Sequence, residues 1–352
     1  MRKKPWIAGL SSFLFPGLGH IYAGKIKRGF IFFFMWFISV FFIAFVSSYF
    51  EGNLIFYIYF LFSNIIVILM LIDAVRCVRK ENVNSSATIK SKATVYLTYG
   101  VIYIILVFFV LTALLKSVVV EAYKIPTGSM ENTLLIGDYI LGAKNVYGVH
   151  IPFSDDYFYY FRQPERNDLV IYKFFDLIGS GKYEKNYYIK RCIGLPGEEI
   201  KIINKKVYID NEELQECEDI IHSNDTLRVG VENGKIFPPS SGWNEDNYGP
   251  LKIPKVGEEV KINFSNIRVW EKLIKDEGNS LSFDGSGKIT LNGKTAEEFV
   301  YKVKNDYVFL LGDNRNNSLD SRYNGFISLT DIMGKAKLIY FSTDWERIGK
   351  LL

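Results

Sequence analysis

The chain has 352 residues, 49% of them hydrophobic, and a formal net charge of only +4. This length allows more than one domain, and the weak net charge argues against nucleic-acid binding, which requires a concentrated basic face. The chain has two parts of different composition. The first third consists mainly of apolar runs, and the remainder has the composition of a soluble domain. The sequence therefore predicts a membrane anchor over residues 1–116, followed by a soluble domain.

Three stretches of the anchor are long and apolar enough to be transmembrane helices. They cover residues 29–50, 54–71 and 95–115, and about 20 residues rising about 1.5 Å each span a bilayer core of about 30 Å. The first two are joined by a three-residue loop and should form a helical hairpin. Lysine and arginine cluster before the first stretch and between the second and third, but are absent from that loop. The positive-inside rule then places the N-terminus in the cytoplasm and the chain after residue 115 on the outer side.

Residues 5–24 leave an alternative open. The segment is apolar but interrupted by Pro16 and several glycines, which favours a half-length or interfacial segment. A full span here would reverse the side on which the soluble domain lies. Its run PGLGHIYAGKIKRG resembles a short motif that recurs in small bacterial membrane modules of unassigned role. A channel or transporter built on the anchor is disfavoured, because the spans carry no charge that would mark a pathway.

After residue 115, short segments rich in Val, Ile, Tyr and Phe alternate with turn residues, which predicts a mainly-β domain. Asp210–Asn211 and Asn292–Gly293 are predicted turns, the second within a hairpin. The aromatic stretch 147–161 is interpreted as a packed hairpin, with a membrane-interface surface as the alternative. No long amphipathic helix is expected. Strands are predicted at residues 169–175, 187–193, 201–209, 288–291, 307–311 and 335–341.

Residues 212–300 are more polar and less regular than their surroundings and contain several prolines. They are interpreted as a small inserted β subdomain. The main β domain would then consist of a first part, residues 117–211, and a last part, residues 301–352.

Most hydrolytic machineries are poorly supported by the sequence. The histidines are only His20, His150 and His222, and none lies in a recognisable motif, so a Ser-His-Asp triad has little support. Ser129 fits neither the G-x-S-x-G nor the S-x-x-K pattern. No cluster of His, Cys and Asp has zinc-ligand spacing. Of the hydrolytic mechanisms considered, the one that the sequence still allows is a serine nucleophile activated by a lysine.

The three cysteines, Cys77, Cys192 and Cys217, form neither a metal-ligand spacing nor a dense disulfide framework. Cys77 belongs to the anchor. Cys192 and Cys217 could pair only if the fold brings them together, and otherwise they are two buried thiols.

Ser129 and Lys190 have the features that such a pair requires. A serine hydroxyl is a weak nucleophile until a base removes its proton, and a lysine can be that base only when neutral. Its ordinary pKa of about 10.4 must therefore be lowered by burial among apolar groups. Lys190 lies in an apolar predicted strand, and the neighbouring Arg191 should point to the opposite sheet face, towards solvent or a carboxylate.

Four segments carry a resemblance to a known family. IPTGSMENTLLIGDYIL is similar to the serine box of type I signal peptidases, NDLVIYKF to the strand that follows it, and YYIKRCIGLPGEEI to the lysine box. LLGDNRNNSLDSRYNGFI resembles the last box. All four occur in the family's order and cover the region from about residue 123 to 341. The resemblance implies membrane anchors followed by a signal-peptidase-like β fold that works without a metal or organic cofactor.

The resemblance also implies roles for individual residues. Ser129 would be the nucleophile and Lys190 the general base. The backbone N–H of Ser129 and the hydroxyl of Thr127 would hold the oxyanion, and Ser318 would hydrogen-bond Lys190 and orient it. The substrates would be preprotein signal peptides, cleaved at the outer face of the bacterial cytoplasmic membrane near the secretion translocase.

Other residues of the boxes would have supporting roles. Asp320 and Arg322 would pair and hold the last box, Met130 would lie beside the substrate cleft, and Asp313 and Asn314 would form a structural turn.

The sequence departs from the family at two positions of the boxes: Asn132 stands where proline is usual, and Glu198 where aspartate is usual. Both departures concern local geometry and not the reaction. Three spans, where one or two are usual, preserve the topology. Two alternatives stay open: a relative with the same chemistry and one dedicated substrate, and a catalytically inactive, membrane-tethered binding module.

Overall fold

A computed structural model of the protein describes residues 3–49, 53–84, 119–151, 154–177, 183–223, 226–283 and 287–352. The chain divides into two compact units, Met1–Val119 and Val120–Leu352.

The first unit is helical in its described part. Its helices are α1 (Pro5–Leu14), α2 (Leu18–Tyr22), α3 (Ile26–Tyr49) and α4 (Asn53–Asn84). Proline begins α1, and Gly17 adopts a left-handed φ of 87° immediately before α2. The predicted interruption of residues 5–24 is thereby confirmed as a break between two short helices. Both α1 and α3 contact α4.

The predicted spans 29–50 and 54–71 fall within α3, α4 and the residues between them, and the predicted span 95–115 lies outside the described residues. Among the helices that are described, none combines the length and the apolar character that crossing a membrane requires.

The second unit is mainly β. Its first strands are β1 (Val120–Lys124), β2 (Tyr139–Ala143), β3 (Gly148–His150), β4 (Tyr157–Tyr160), β5 (Leu169–Leu177), β6 (Tyr183–Gly194), β7 (Glu199–Ile203), β8 (Lys206–Ile209) and β9 (Glu212–Glu213). The later strands are β10 (Tyr248–Lys252), β11 (Glu259–Asn263), β12 (Leu281–Phe283), β13 (Ile289–Leu291), β14 (Lys294–Ala296), β15 (Glu298–Lys302), β16 (Tyr307–Leu311), β17 (Ile327–Ser328) and β18 (Ile332–Phe341). The helices are α5 (Ile267–Asp276) and α6 (Ser321–Asn324), with 3₁₀ turns at Leu329–Asp331 and Trp345–Arg347.

A seven-stranded antiparallel sheet, in the order β1-β2-β18-β5-β6-β16-β17, carries strands of the four boxes. Strands β5 and β6 pair along their length, with Val170 opposite Lys190 and Leu169 opposite Arg191. Apolar side chains such as Ile140, Ile171 and Ile339 pack into a core cluster on this sheet. The predicted strands at 169–175, 187–193, 307–311 and 335–341 are confirmed, with small extensions of their ends.

The prediction of one strand over residues 201–209 is wrong, because the chain turns within it. Asn204 and Lys205 both adopt a positive φ, and the turn joins β7 to β8 in a hairpin. The predicted turn at Asp210–Asn211 follows, also with positive φ at both residues. The hairpin at Asn292–Gly293 is confirmed as β13 and β14.

Residues 212–300 are more regular than the sequence indicates. Strand β10 pairs with β7, so this region shares the sheet β10-β7-β8-β9 with the segment before it. Ile200, Leu251 and Phe309 lie in one core cluster, which joins the region to the strands on both sides. Helix α5 is a short amphipathic helix where the sequence analysis expected none, and it buries Ile267, Leu273 and Ile274, which follow helical spacing.

The aromatic stretch 147–161 forms the hairpin of β3 and β4, as predicted. His150 and Tyr160 lie on either side of the Tyr157 ring, each with a centroid distance of 3.9 Å. Phe158 and Tyr159 remain exposed. Cys192 and Cys217 are both free thiols.

Candidate active site

Ser129 lies in the turn that connects β1 to β2 and is half-buried. The last box holds this turn in place. The Asn314 backbone N–H donates to the Ser129 carbonyl oxygen over 3.1 Å, and its side-chain amide donates to the Gly128 carbonyl oxygen over 3.1 Å. The position of the serine backbone is thus set by residues that follow β16.

Lys190 reaches Ser129 from β6. Its Nζ donates to Ser129 Oγ over 2.7 Å and to the Ile189 carbonyl oxygen over 3.0 Å. The side chain is 2% exposed, and Nζ lies 5.8 Å from the centroid of the Tyr188 ring. The structure therefore brings the two predicted catalytic side chains into direct contact.

Burial lowers the pKa of Lys190 from 10.5 to about 8, because the charged ammonium loses its hydration. The carboxylates of Asp320 and Asp313 oppose this effect and raise the pKa. A lysine with this pKa has an appreciable neutral fraction near neutral pH, so it can accept the proton of a serine hydroxyl.

Two candidate oxyanion donors belong to the turn that contains Ser129. Within the described part of the chain, the backbone N–H of Ser129 has no hydrogen-bond acceptor. Thr127, two residues earlier, is exposed. Both groups are available to a ligand that approaches Ser129.

Arg191 lies on the sheet face opposite Lys190 and meets a carboxylate there. Its Nε and Nη2 donate to Asp313 over 2.7 Å and 2.6 Å, and Thr133 Oγ1 donates to the same carboxylate over 2.5 Å. Arg191 is 7% exposed and Asp313 is fully buried. This bidentate pair fastens β6 to the turn after β16, the two elements that hold Lys190 and Ser129.

Asp320 and Arg322 form a second buried pair. Nε and Nη2 of Arg322 donate to the two carboxylate oxygens of Asp320 over 2.9 Å and 2.8 Å. Asp320 also accepts from the backbone N–H of Gly312 over 3.1 Å. Burial raises the pKa of Asp320, but Arg322 and these hydrogen bonds outweigh it and hold the pKa below its usual value. Through the Gly312 hydrogen bond, this ion pair holds the last box against the end of β16.

Ser318 makes no hydrogen bond to Lys190. Its buried hydroxyl contributes to the lowered pKa of Asp320, yet no partner among the described residues meets hydrogen-bond geometry. A Cβ added at Gly312 would lie 2.1 Å from Ser318 Oγ and 2.6 Å from the Ser129 carbonyl oxygen. Glycine at position 312 is therefore what allows the last box to approach the serine turn.

Met130 is 2% exposed and packs with Leu134 and Ile140 in the core. Its Sδ accepts from the Asp313 backbone N–H over 3.4 Å. The structure thus places it beneath the serine turn and not on an open surface.

A segment that the sequence did not single out also supports the site. We call residues 216–223 the strap. The Ile221 N–H donates to the Asp313 carbonyl oxygen over 2.8 Å, and the Arg315 N–H donates to the Ile221 carbonyl oxygen over 3.0 Å. Glu216 pairs with the buried Arg315 at 2.7 Å. The strap belongs to the polar region 212–300, where no periodic pattern marks it.

The two departures from the family pattern have local explanations. Asn132 has a φ of 74°, which proline cannot adopt because its ring fixes φ near −65°. Glu198 accepts from the Leu195 N–H over 2.8 Å and pairs with Arg166 at 2.6 Å, so its longer side chain still closes the turn after β6.

Comparisons with known proteins show which family the chain resembles. The family model described as signal peptidase, peptidase S26, matches residues 98–341. Signal peptidase I of Buchnera aphidicola subsp. Schizaphis graminum is 32% identical over 270 residues, which cover 74% of this chain and 77% of the relative. Signal peptidase I of Rickettsia typhi is 30% identical over 239 residues, covering 65% and 75%. A crystal structure of a signal peptidase I from Enterococcus faecalis matches 49% of this chain and 97% of its own, with 18% identity and a TM-score of 0.24.

Proposed function

The chain belongs to the signal peptidase family, peptidase S26, and we propose that Ser129 and Lys190 are the nucleophile and general base of its reaction. It is a serine endopeptidase of the signal peptidase I type, which removes signal peptides from preproteins. The observation that carries the assignment is the 2.7 Å contact between Lys190 Nζ and Ser129 Oγ, made by a lysine that is almost fully buried.

The contact supports an acyl-enzyme mechanism. Neutral Lys190 takes the proton from Ser129 Oγ as this oxygen attacks the carbonyl carbon of the scissile peptide bond. The protonated lysine then gives its proton to the leaving amine, and the signal peptide stays bound to Ser129 as an ester. Lys190 next activates a water molecule, which hydrolyses the ester and frees the serine.

The developing oxyanion needs hydrogen-bond donors that are already in place. We assign this role to the Ser129 backbone N–H, helped by the exposed hydroxyl of Thr127. We assign Ser318 the orientation of Lys190. The buried Ser318 hydroxyl supports this role, because it has no hydrogen-bond partner among the described residues.

The cleavage segment of the preprotein binds as an added strand, so that backbone hydrogen bonds provide affinity and shallow pockets admit small side chains. Strand β1 supports this mode, because it is an edge of the seven-stranded sheet and ends five residues before Ser129. Small residues one and three positions before the cut are the preference that the family implies.

We infer that residues 29–50, 54–71 and 95–115 cross the bacterial cytoplasmic membrane. The apolar composition of the three segments and the distribution of lysine and arginine support this topology. It places the β domain on the outer side, where signal peptides emerge near the secretion translocase. Anchoring concentrates enzyme and substrate in one plane of the lipid bilayer.

The test is cleavage of radiolabelled preproteins by the full chain purified in detergent. Ser129→Ala and Lys190→Ala should both be inactive while remaining folded. The matched controls Ser282→Ala and Lys288→Ala, at exposed positions, should cut as the wild type does. Normal cleavage by Lys190→Ala would show that the base lies elsewhere.

The preprotein panel also separates the alternatives. Cleavage of several unrelated preproteins supports a general signal peptidase, whereas cleavage of a single one supports a dedicated enzyme. A wild-type protein inert on all of them would favour a binding module.

A further inference from the structure

A group of possible metal ligands lies in the N-terminal helical unit. His20 of α2 and Asp73 and Cys77 of α4 present ligand atoms that all lie within 4.8 Å of one another. His20 Nε2 is 3.0 Å from Asp73 Oδ2, and Cys77 Sγ is 3.8 Å from the same oxygen. The sequence showed no metal-ligand spacing because the histidine and the aspartate are 53 positions apart.

The glycine-rich run around His20 explains how the histidine reaches α4. A Cβ added at Gly19 would lie 2.0 Å from the Ala8 carbonyl oxygen, so glycine allows α2 to approach α1 closely. The Gly17 N–H donates to Met70 Sδ of α4 over 3.0 Å. These contacts place His20 against α4, where its ring is fully buried. The peptidase reaction gives this motif no role.

Helix geometry places the other two ligands together. Asp73 and Cys77 are four residues apart, so they lie on the same face of α4 in successive turns. Cys77 is 6% exposed and packs beside Ala8, Ala23 and Ala74, which leaves its sulfur facing the carboxylate. Packing therefore holds His20 and Cys77 in place, and the partly exposed Asp73 carboxylate contacts both of them.

The ligand set identifies the class of metal. Imidazole, thiolate and carboxylate together suit Zn²⁺ and related transition-metal dications, whereas Mg²⁺ and Ca²⁺ prefer oxygen alone. With metal–ligand bonds of about 2.0–2.3 Å, the ligand atoms of a tetrahedral site are about 3.3–3.7 Å apart. The His20–Asp73 and Asp73–Cys77 distances of 3.0 Å and 3.8 Å lie close to that range, and the third pair of ligand atoms lies within 4.8 Å. Three protein ligands leave a fourth position for water.

We propose that His20, Asp73 and Cys77 bind a transition-metal dication of the Zn²⁺ class, which fastens α2 to α4. On binding, the Cys77 thiol loses its proton to solvent, and the thiolate and carboxylate neutralise the two charges of the metal. Without metal, His20 Nε2 donates its proton to the Asp73 carboxylate. Metal binding at Nε2 moves this proton to Nδ1, which has no competing hydrogen-bond partner among the described residues.

Arg28 is the competing cation. Its Nη1 lies 3.6 Å from Asp73 Oδ2 and 3.5 Å from Cys77 Sγ, so without metal it partly neutralises the same groups. Its side chain is 59% exposed and can move into solvent when a metal displaces it. Arg28→Gln should therefore tighten metal binding.

The experiment uses Co²⁺ as the probe, added to the metal-stripped full chain in detergent. We expect one Co²⁺ per chain and an intense thiolate-to-cobalt charge-transfer band, which Zn²⁺ abolishes on displacement. Cys77→Ser should lose the band, and the matched control Cys217→Ser, whose half-exposed thiol belongs to the other unit, should keep it. Zn²⁺ should raise the Tm of the wild type and of Cys217→Ser, but not that of Cys77→Ser.

A wild-type protein without the charge-transfer band overturns the proposal, and so does a band that survives in Cys77→Ser. A Co²⁺ affinity that Arg28→Gln leaves unchanged contradicts the competition. Because the readouts are absorbance and Tm, they are independent of preprotein cleavage and of the function proposed for Ser129.

Discussion

The lowered pKa of Lys190 makes the rate of cleavage depend on pH in a defined way. With a pKa of about 8, the neutral fraction is about 1% at pH 6, about 10% at pH 7 and about 90% at pH 9. Since only neutral Lys190 can act as base, kcat/KM should rise about tenfold per pH unit below pH 7 and level off above about pH 9. Cleavage of a preprotein whose cleavage segment has no titrating group measures this profile. A rate that is flat from pH 6, or one that still rises towards the ordinary lysine pKa of 10.5, would refute the assignment.

The same pKa shift should appear in stability. Between pH 8 and 10.5 the unfolded chain binds a proton at Lys190 that the folded chain has lost. The unfolding free energy should therefore rise with pH, by about 1.4 kcal/mol per unit and about 3 kcal/mol in all. Urea unfolding of the wild type and of Lys190→Met isolates this contribution, because other titrating groups affect both proteins equally. A difference between the two that does not change with pH would show that burial leaves the lysine pKa unshifted.

Three further predictions follow from the packing. Arg191→Met leaves the buried Asp313 carboxylate without its cation and should lower the unfolding free energy by about 3–5 kcal/mol in urea titrations; a loss below about 1 kcal/mol, as for surface pairs, contradicts this. Gly312→Ala adds a Cβ 2.6 Å from the carbonyl oxygen of Ser129 and should slow cleavage at least about 100-fold. The control Gly234→Ala, whose Cβ meets nothing within 4 Å, should cleave at the wild-type rate. If Gly312→Ala cleaves as fast as Gly234→Ala, the added Cβ at position 312 does not disturb the serine turn. Burial raises the pKa of Asp331 from 3.8 to about 6, so the folded state binds the proton more tightly and the unfolding free energy should fall as pH rises across that window. Asp331→Asn should remove this fall, and an unchanged slope in the variant contradicts the assignment.

Local patterns predicted the strand that carries Lys190 and its neighbour in the sheet, but not strands β1 and β2, which flank Ser129. The apolar run at β5 and the apolar neighbours of Lys190 in β6 indicate buried strands, because a strand covered on both faces has few polar positions. Strand alternation also placed Arg191 on the face opposite Lys190. It could not decide between solvent and a carboxylate, because the partner, Asp313, is 122 positions away.

Contacts between distant segments were beyond the sequence patterns. The strap lies in a polar, irregular stretch, and its backbone hydrogen bonds to the last box leave no periodic signal. The alternation predicted for residues 201–209 is interrupted by three consecutive polar residues, 204–206, and the chain turns there. The approach of His20 to Asp73 depends on how α2 packs against α4, which no spacing rule describes.

The central claim is that Ser129 becomes acylated by the signal peptide. Preprotein cleavage would be quenched in acid during turnover, and the digested enzyme analysed by mass spectrometry. The account predicts an ester between the carbonyl carbon at the end of the signal peptide and Ser129 Oγ, absent from Ser129→Ala. An ester on another residue, or rapid cleavage with Ser129 unmodified at every quench time, would contradict it.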